Sequence, residues 1–376
     1  MTTPADHTES IAGALDHMHP ELAVVRDLGG DPVYLVGGAV RDLLLGRGRA
    51  DIDLVVEGDA AVLASELGAE VTSHERFGTA KVRIGAHDVD IAAARSESYP
   101  HPGALPAVEP ATLAEDLRRR DFTINAMAIP LRGEPQLIDP HGGQADLVAK
   151  QLRVLHPRSF GDDPTRAIRA ARYAARFGFE LEPETAELLR GTDLSTVSGD
   201  RREAELLRLA AEANAPRGFA LLAEWGLVEL RPGGVELALG VAELLGAEPW
   251  SGEAPRGRAL LGAALGPEGA EVSLARQRPR LPSEAVALAS AHDSVELVLA
   301  RALGAEWLDR YLVEWRRVAL RIDGEDLIAA GVPQGPALGR GLKEALRRKL
   351  DGELDGGREQ ELAAAVAAAR RHDEVA

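Results

Sequence analysis

A chain of 376 residues with 45% apolar and 27% charged residues is long enough for two or more cores and too apolar for wholesale disorder. Its formal charge of −17 argues against a protein that coats nucleic acid with its whole surface, and the absence of cysteine excludes disulfides and thiolate metal sites. No stretch reaches the about eighteen apolar residues of a membrane span, so the expectation is a protein without a membrane partner in a reducing, cytoplasmic setting.

Residues 1–25 have neither a basic start nor a continuous apolar block and read as a mobile leader. The first β-type run is VYLV, at 33–36. Gly37 and Gly38 turn the chain, and residues 39–45 have helical composition ending at Gly46, a natural C-terminal cap. Glycines at such a turn let backbone N–H groups approach a phosphate; a plain tight turn fits them equally well. The stretch lacks the GK[ST] of a P-loop and the third spaced glycine of a dinucleotide fold.

Asp51 and Asp53 open the next strand, DIDLVV. With a period of two both carboxylates point to one side, where they repel unless a cation lies between them. Mg2+ prefers hard oxygen ligands together with substrate phosphates, so Asp51 and Asp53 beside GGAVRD suggest metal-assisted phosphoryl chemistry. An exposed strand start is the bland alternative. A hairpin follows at KVRIGAHDVDIA, where Asp88 and Asp90 share a face. If this strand lies beside the first, Asp90 is a third carboxylate, completing a metal site or accepting the proton of an attacking hydroxyl. Otherwise it is a solvated hairpin residue. The runs AMAIPL and QLIDP complete the β-type segments of one mixed sheet.

Between residues 116 and 176 eleven basic residues stand against seven acidic ones, a local excess inside an acidic chain. From Pro164 onward the strands are expected to stop. DPTRAIRAARYAARFGF, DRREAELLRLAAEAN, SEAVALASAHDSVELVLARAL and REQELAAAVAAARR predict successive helices, with all four tryptophans (Trp225, Trp250, Trp307, Trp315) anchoring the core there. On a helix starting near Pro164, Arg166, Arg169, Arg172 and Arg176 fall within about 120° of arc, while Ile168, Ala171 and Ala175 take another face. The pairs His292-Asp293 and His372-Asp373 lack the further histidines of a phosphohydrolase site and read as surface. GVPQGPALG reads as a connection between helices, with a backbone approach to RNA phosphates as the alternative.

The stretch GGAVRDLLLGRGRADIDLVV, then EDLRRRDFTINAMAI (115–129), LIDPHGG (137–143), DDPTRAIRAARYAARFGF (162–179) and DGEDLIAAGVPQGPALG (323–339), resembles the tRNA nucleotidyltransferase and poly(A) polymerase family, the bacterial-type (class II) CCA-adding enzymes of the polymerase-β-like superfamily. The resemblance implies an α+β fold: a polymerase-β-like nucleotidyltransferase head with a mixed sheet (26–157), then an all-helical neck that recognises the base (158–215) and a helical body and tail for tRNA (216–376). It implies a monomer or homodimer using Mg2+, CTP and ATP, with tRNA held by its acceptor arm and 3′ end. Gly37, Gly38 and Arg41 would contact the triphosphate, and Asp51 and Asp53 would hold the metal. Arg120, Arg169 and Arg172 would contact the incoming nucleotide, and Asp163 and Arg166 match the base-reading pair. Cytosine and adenine each present an amino donor beside a ring-nitrogen acceptor, and uracil and guanine the reverse. An Asp acceptor with an Arg donor therefore selects C and A together. The expected activity is CCA addition to tRNA with release of pyrophosphate. The alternatives are CC-only, A-only or poly(A) addition within the family and, in a different class, a non-catalytic RNA or nucleotide sensor. Residues 95–116 span the loop in which family members of different specificity differ.

Overall fold

The computed structural model describes residues 11–48, 51–67, 72–74, 78–354 and 357–371. The chain starts with helices α1 (Ile11–Met18) and α2 (Ala23–Asp27). Leu15, Leu22 and Val25 are wholly buried, so residues 11–25 join the core instead of forming the expected mobile leader. Sparse apolar residues on short helices gave no long periodic signal there. Residues 1–10 lie outside the described residues.

The head continues with β1 (Val33–Val36), α3 (Gly38–Leu44), β2 (Ile52–Val56), α4 (Ala60–Glu66), β3 (Thr72–His74), β4 (Thr79–Ile84) and β5 (His87–Ala93). Next come the hairpin β6 (Arg95–Ser98) and β7 (Ala107–Pro110), helix α5 (Leu113–Arg118) and strand β8 (Ala128–Pro130). Six strands form one mixed sheet in the order β3-β4-β5-β2-β1-β8. β2 and β5 run parallel, with Asp53 opposite Asp90; the other neighbours are antiparallel. β-branched and other apolar residues build this sheet because they fit a pleated, half-buried surface. Val36, Val55 and Ala128 pack against Leu113 and Leu117, which seats α5 on one face. Glu115 fixes the start of α5 by accepting the N–H of Thr112 at 3.0 Å.

QLIDP forms no strand beyond a single bridge from Ile138 to Ala128. Asp139 leaves the sheet to cap α6 (Gly143–Ala149), accepting the N–H groups of Gly143 and Gln144 at 2.7 and 2.9 Å. The chain then forms β9 (Gln151–Leu152), α7 (Ser159–Asp162), α8 (Thr165–Phe177), β10 (Glu180–Leu181), α9 (Pro183–Leu189), α10 (Gly199–Ala210) and α11 (Ala215–Glu224). β10 pairs in parallel with β9, so strand pairing does not stop at Pro164. α8 ends where Gly178 turns left-handed at φ 69°.

The chain divides into two compact units between Leu227 and Val228. The second contains helices α12 (Gly234–Leu244), α13 (Arg256–Leu265), α14 (Ala270–Arg276), α15 (Pro282–Ala289), α16 (Ser294–Ala302), α17 (Trp307–Val313), α18 (Gly324–Ala329), α19 (Pro336–Leu350) and α20 (Arg358–Arg370). The long segment at 283–303 is broken into α15 and α16 by Asp293, whose carboxylate accepts the N–H groups of Val295 and Glu296, both at 2.8 Å. Of the tryptophans only Trp250 is fully buried, its Nε1–H donating to Asp309 at 2.8 Å; Trp225, Trp307 and Trp315 are half-buried. In GVPQGPALG the first five residues connect α18 to α19, and PALG is the first turn of α19. α19 crosses α20 closely because Gly341 has no Cβ, which would stand 2.6 Å from the carbonyl of Ala365. His372-Asp373 lies outside the described residues. No helix among them is long and apolar enough to cross a membrane.

Candidate active site

A cleft of about 670 Å3 opens in the first unit, lined by nine arginines and six carboxylates. Gly37, Gly38, Arg41, Asp51, Asp53, Arg120, Asp163, Arg166, Arg169 and Arg172 all reach it, which brings together every residue singled out in the sequence except Asp90. β1 and β2 deliver the carboxylate end, and α8 delivers the arginine end.

At the carboxylate end, Asp53 keeps contact with solvent, yet crowding by the surrounding protein pushes its pKa up to about 6. Asp90 and Asp51 add to that rise, while Arg120 and Arg41 oppose it. A carboxylate raised in this way gains from a cation beside it. Among the described residues no three such groups converge into a ready-made cage. Asp51, just before β2, and Asp53, within it, nevertheless fit Mg2+, which takes one or two carboxylates and completes its shell with waters and substrate phosphates. Asp90 lies beside Asp53 in register, but its Oδ1 is 3.7 Å from the Lys81 ammonium on β4.

The turn after β1 is shaped around Arg120. Gly37 has φ 67°, and a Cβ there would lie 2.8 Å from Arg120 Nη1 and 3.9 Å from Asp53 Oδ2. Its glycine therefore makes room for a guanidinium between the turn and the carboxylates. Arg41 is buried on the same side, donating to Asp42 Oδ1 at 2.8 Å and Asn125 Oδ1 at 2.6 Å, with its guanidinium 4.6 Å from the Phe177 ring centre.

At the other end, the Asp163 carboxylate does not bond the Arg166 guanidinium, although the N–H of Arg166 donates to the Asp163 carbonyl at 3.0 Å. The Asp163 carboxylate accepts from Arg169 Nη2 at 2.6 Å, Arg201 Nη2 at 3.0 Å and both the N–H and hydroxyl of Thr165. Arg166, also buried, donates to Ser159 Oγ at 2.6 Å and to the Arg119 carbonyl at 2.8 Å. The arginine stripe on α8 is therefore networked and partly buried rather than a solvated face. Asp121 joins it: burial pushes its pKa up, and Arg169 with the hydrogen bonds from Asn125 and Phe122 outweighs burial and holds it low.

Sequence reasoning missed Arg201, Tyr99 and Glu97. Arg201 comes from α10 and also donates to the carbonyl of Gly103, tying the 99–106 loop to Asp163. Glu97 accepts from Arg119 Nη1 and from the Tyr99 hydroxyl, both at 2.8 Å. Arg201 had no local signal, whereas Arg119 and Asp121 flank Arg120 in RRRD and were within reach of the motif. A second cavity of about 500 Å3 adjoins the first and shares Asp53, Arg119 and Arg120 with it; Lys81, Asp90 and Val55 line it too.

Residues 33–153 match the model of the Poly A polymerase head domain. The chain is 53% identical over 163 residues to the A-adding tRNA nucleotidyltransferase of Aquifex aeolicus; the match takes in 42% of this chain and spans only 20% of that protein. The Thermotoga maritima CCA-adding enzyme, solved in complex with tRNA, matches with a TM-score of 0.72 at 28% identity, over 95% of this chain and 98% of that one. The CC-adding tRNA nucleotidyltransferase of Deinococcus radiodurans is 37% identical over 326 residues, 82% of this chain and 82% of that protein. With one carboxylate on β2 and another just before it lining an arginine-rich cleft, and a relative matched along that share of its length, the chain belongs to the tRNA nucleotidyltransferase and poly(A) polymerase family.

Proposed function

We propose that this protein is a template-independent tRNA nucleotidyltransferase that transfers CMP and AMP from CTP and ATP to a tRNA 3′ end and releases pyrophosphate. The observation that carries the reading is the single cleft in which Asp51 and Asp53 face Asp163 and Arg166 across a field of arginines. An electropositive cleft of this size suits a nucleoside triphosphate, whose phosphates are stabilised by charge-assisted bonds to guanidiniums.

In this reading Arg41, Arg120, Arg169 and Arg172 bind and orient the nucleotide. Asp163 accepts the amino group of cytosine or adenine, and Arg166 donates to the ring nitrogen. Asp51 and Asp53 are the residues that would hold Mg2+, which when bound activates the acceptor hydroxyl and stabilises the leaving group. The smaller cavity, divided from the first at Asp53, takes the terminal nucleoside of the acceptor. Its 3′ oxygen forms a bond to the α-phosphorus while the bond to the β-bridging oxygen breaks, and that electron pair leaves with pyrophosphate. Asp90 takes the hydroxyl proton; its place beside Asp53 supports this assignment. Positioning and electrostatics supply most of the rate in such phosphoryl chemistry.

Relatives named for A addition and for CC addition both resemble the chain, so the extent of addition is the finer question. The test is incubation with tRNA transcripts ending in the discriminator base, in C, or in CC, with Mg2+ and with CTP and ATP apart and together. Complete CCA ends on all three transcripts support the full activity. Extension by C alone, or of the CC-ended transcript alone, assigns a partial one. No incorporation by folded protein on any transcript rejects the enzyme reading in favour of a sensor.

A further inference from the structure

Asp116 is fully buried on the short helix α5, outside both cavities. Its Oδ1 accepts from Arg119 Nε at 3.0 Å and Nη2 at 2.6 Å, and its Oδ2 accepts from Arg120 Nε at 3.2 Å and Nη2 at 2.9 Å. One carboxylate thus grips two neighbouring guanidiniums, each through two nitrogens. The N–H of Arg95 adds a further donor at 3.4 Å. Both arginines line both cavities, so the pair stands on the divide that also holds Asp53.

Two adjacent guanidiniums repel, and each long side chain loses rotamer freedom when fixed. A single buried carboxylate between them offsets that repulsion. It is placed by helix geometry: residues three and four positions on from Asp116 lie on its own face of the turn. The remaining nitrogens are aimed by other groups, with Arg119 Nη1 on Glu97 at 2.8 Å and Arg120 Nη1 under the Gly37 turn. The side-chain direction of both arginines is therefore set at its root by Asp116.

We propose that Asp116 is a positioning residue for the triphosphate of the incoming nucleotide, acting through Arg119 and Arg120. This rests on the nucleotidyl-transfer reading. Asp116→Asn keeps the shape and removes the charge. Its expected effect is a rise of about tenfold in the dissociation constant for ATP, measured without an acceptor, as befits loss of charge-assisted bonds. The same substitution placed on R119A/R120A leaves ATP affinity where that double variant put it. ATP binding by D116N equal to wild type overturns the proposal, as does a full tenfold loss repeated in the R119A/R120A background.

R120K gives a second test without opening the buried position, because lysine keeps the charge but cannot form the two-nitrogen grip on Oδ2. ATP binding weakened to the level of R120A supports the proposal, and wild-type affinity in R120K overturns it. The Nε–H signals of Arg119 and Arg120, followed by NMR without any nucleotide, separate this from failure of the functional reading. Their slow exchange in wild type and fast exchange in D116N support positioning even if no nucleotide is transferred. Unchanged exchange in D116N sinks it while leaving the proposed transfer untouched.

Discussion

Three of the four stripe arginines of α8 reach carboxylates or a carbonyl far away in sequence. Arg169 bonds Asp121 across 48 positions, Arg166 bonds the Arg119 carbonyl across 47, and Arg176 reaches Asp42 across 134. In α19 of the second unit, Arg347 bonds Glu344, Asp351 and Glu353, within three to six positions of itself. Both helices carry arginine at helical spacing. The difference is the company: long-range, partly buried partners organise a cleft, while local partners dress a solvated helix. Charge density alone therefore does not mark a site, and neither does partner distance alone, since Arg231 pairs with Glu271 and Arg316 with Glu253 in the second unit; distant partners gathered around one cleft do.

The largest effect is expected at the carboxylates that face the α8 arginines. Asp53→Asn should lower turnover by at least about 100-fold, the scale of a lost transition-state contact, with nucleotide binding altered far less. It should also stabilise the fold above neutrality. The raised pKa of Asp53 means that the folded chain takes up this proton more readily than the unfolded chain. The stabilising contribution of protonation is fully present below the ordinary value of 3.8 and is lost as pH rises through about 6. D53N should therefore unfold at a higher temperature than wild type at pH 8 and at the same temperature near pH 3. A D53N protein that is less stable at pH 8, with unchanged turnover, would contradict both halves.

Next comes base choice. If the α8 network reads the base, Asp163→Asn should weaken CTP and ATP use by about tenfold or more while UTP and GTP gain relative to them, since an amide donates where a carboxylate only accepts. Competition assays with the four nucleotides on one transcript give the ratio. An equal loss for all four would make Asp163 a structural hub for Arg169 and Arg201 and nothing more. Arg201→Ala should be milder. It removes one of the two arginine contacts to Asp163 and the tie to Gly103, so the KM for nucleotide should rise several-fold, by less than about tenfold, with little change in tRNA affinity. Unchanged KM would show that the 99–106 loop is held by other means.

These differences also explain what could be read in the sequence. Asp51 and Asp53 were legible because a strand has a period of two, and Arg166 to Arg176 because a helix has a period of 3.6. Asp90 was placed beside Asp53 only conditionally, since strand pairing is a long-range fact; the register of β2 on β5 supplied it. Arg201 and the pairing of Asp163 with Arg169 carried no local pattern. The leader was misread at residues 11–25 because isolated apolar residues become a core only once α1 and α2 have something to pack on. QLIDP was misread because Asp139 spends its carboxylate on capping α6, a choice that hydrophobicity does not reveal.

The smallest effect tests the contrast from its other side. Arg347 makes more hydrogen bonds than Arg166, so a count of contacts would rank it as the more important residue. Its side chain is 38% exposed, however, and the partners Glu344 and Glu353 are 32% and 42% exposed; the third partner, Asp351, is buried but keeps the N–H and hydroxyl of Ser283 as donors when Arg347 is removed. Water and salt screen such pairs, and holding long side chains together costs entropy, so exposed pairs contribute about 0–1 kcal/mol each. Arg347→Ala should accordingly lower stability by no more than about 1 kcal/mol in urea unfolding, with the loss shrinking further at 0.5 M salt, a concentration on the order of those at which surface charges are screened within a few ångströms. Arg166→Ala, with fewer bonds but a residue only 3% exposed, should cost more and keep its cost in salt, because it leaves Ser159 and the Arg119 carbonyl without that donor in a buried place. Equal, salt-sensitive losses for the two variants would erase the distinction between the networked helix and the solvated one.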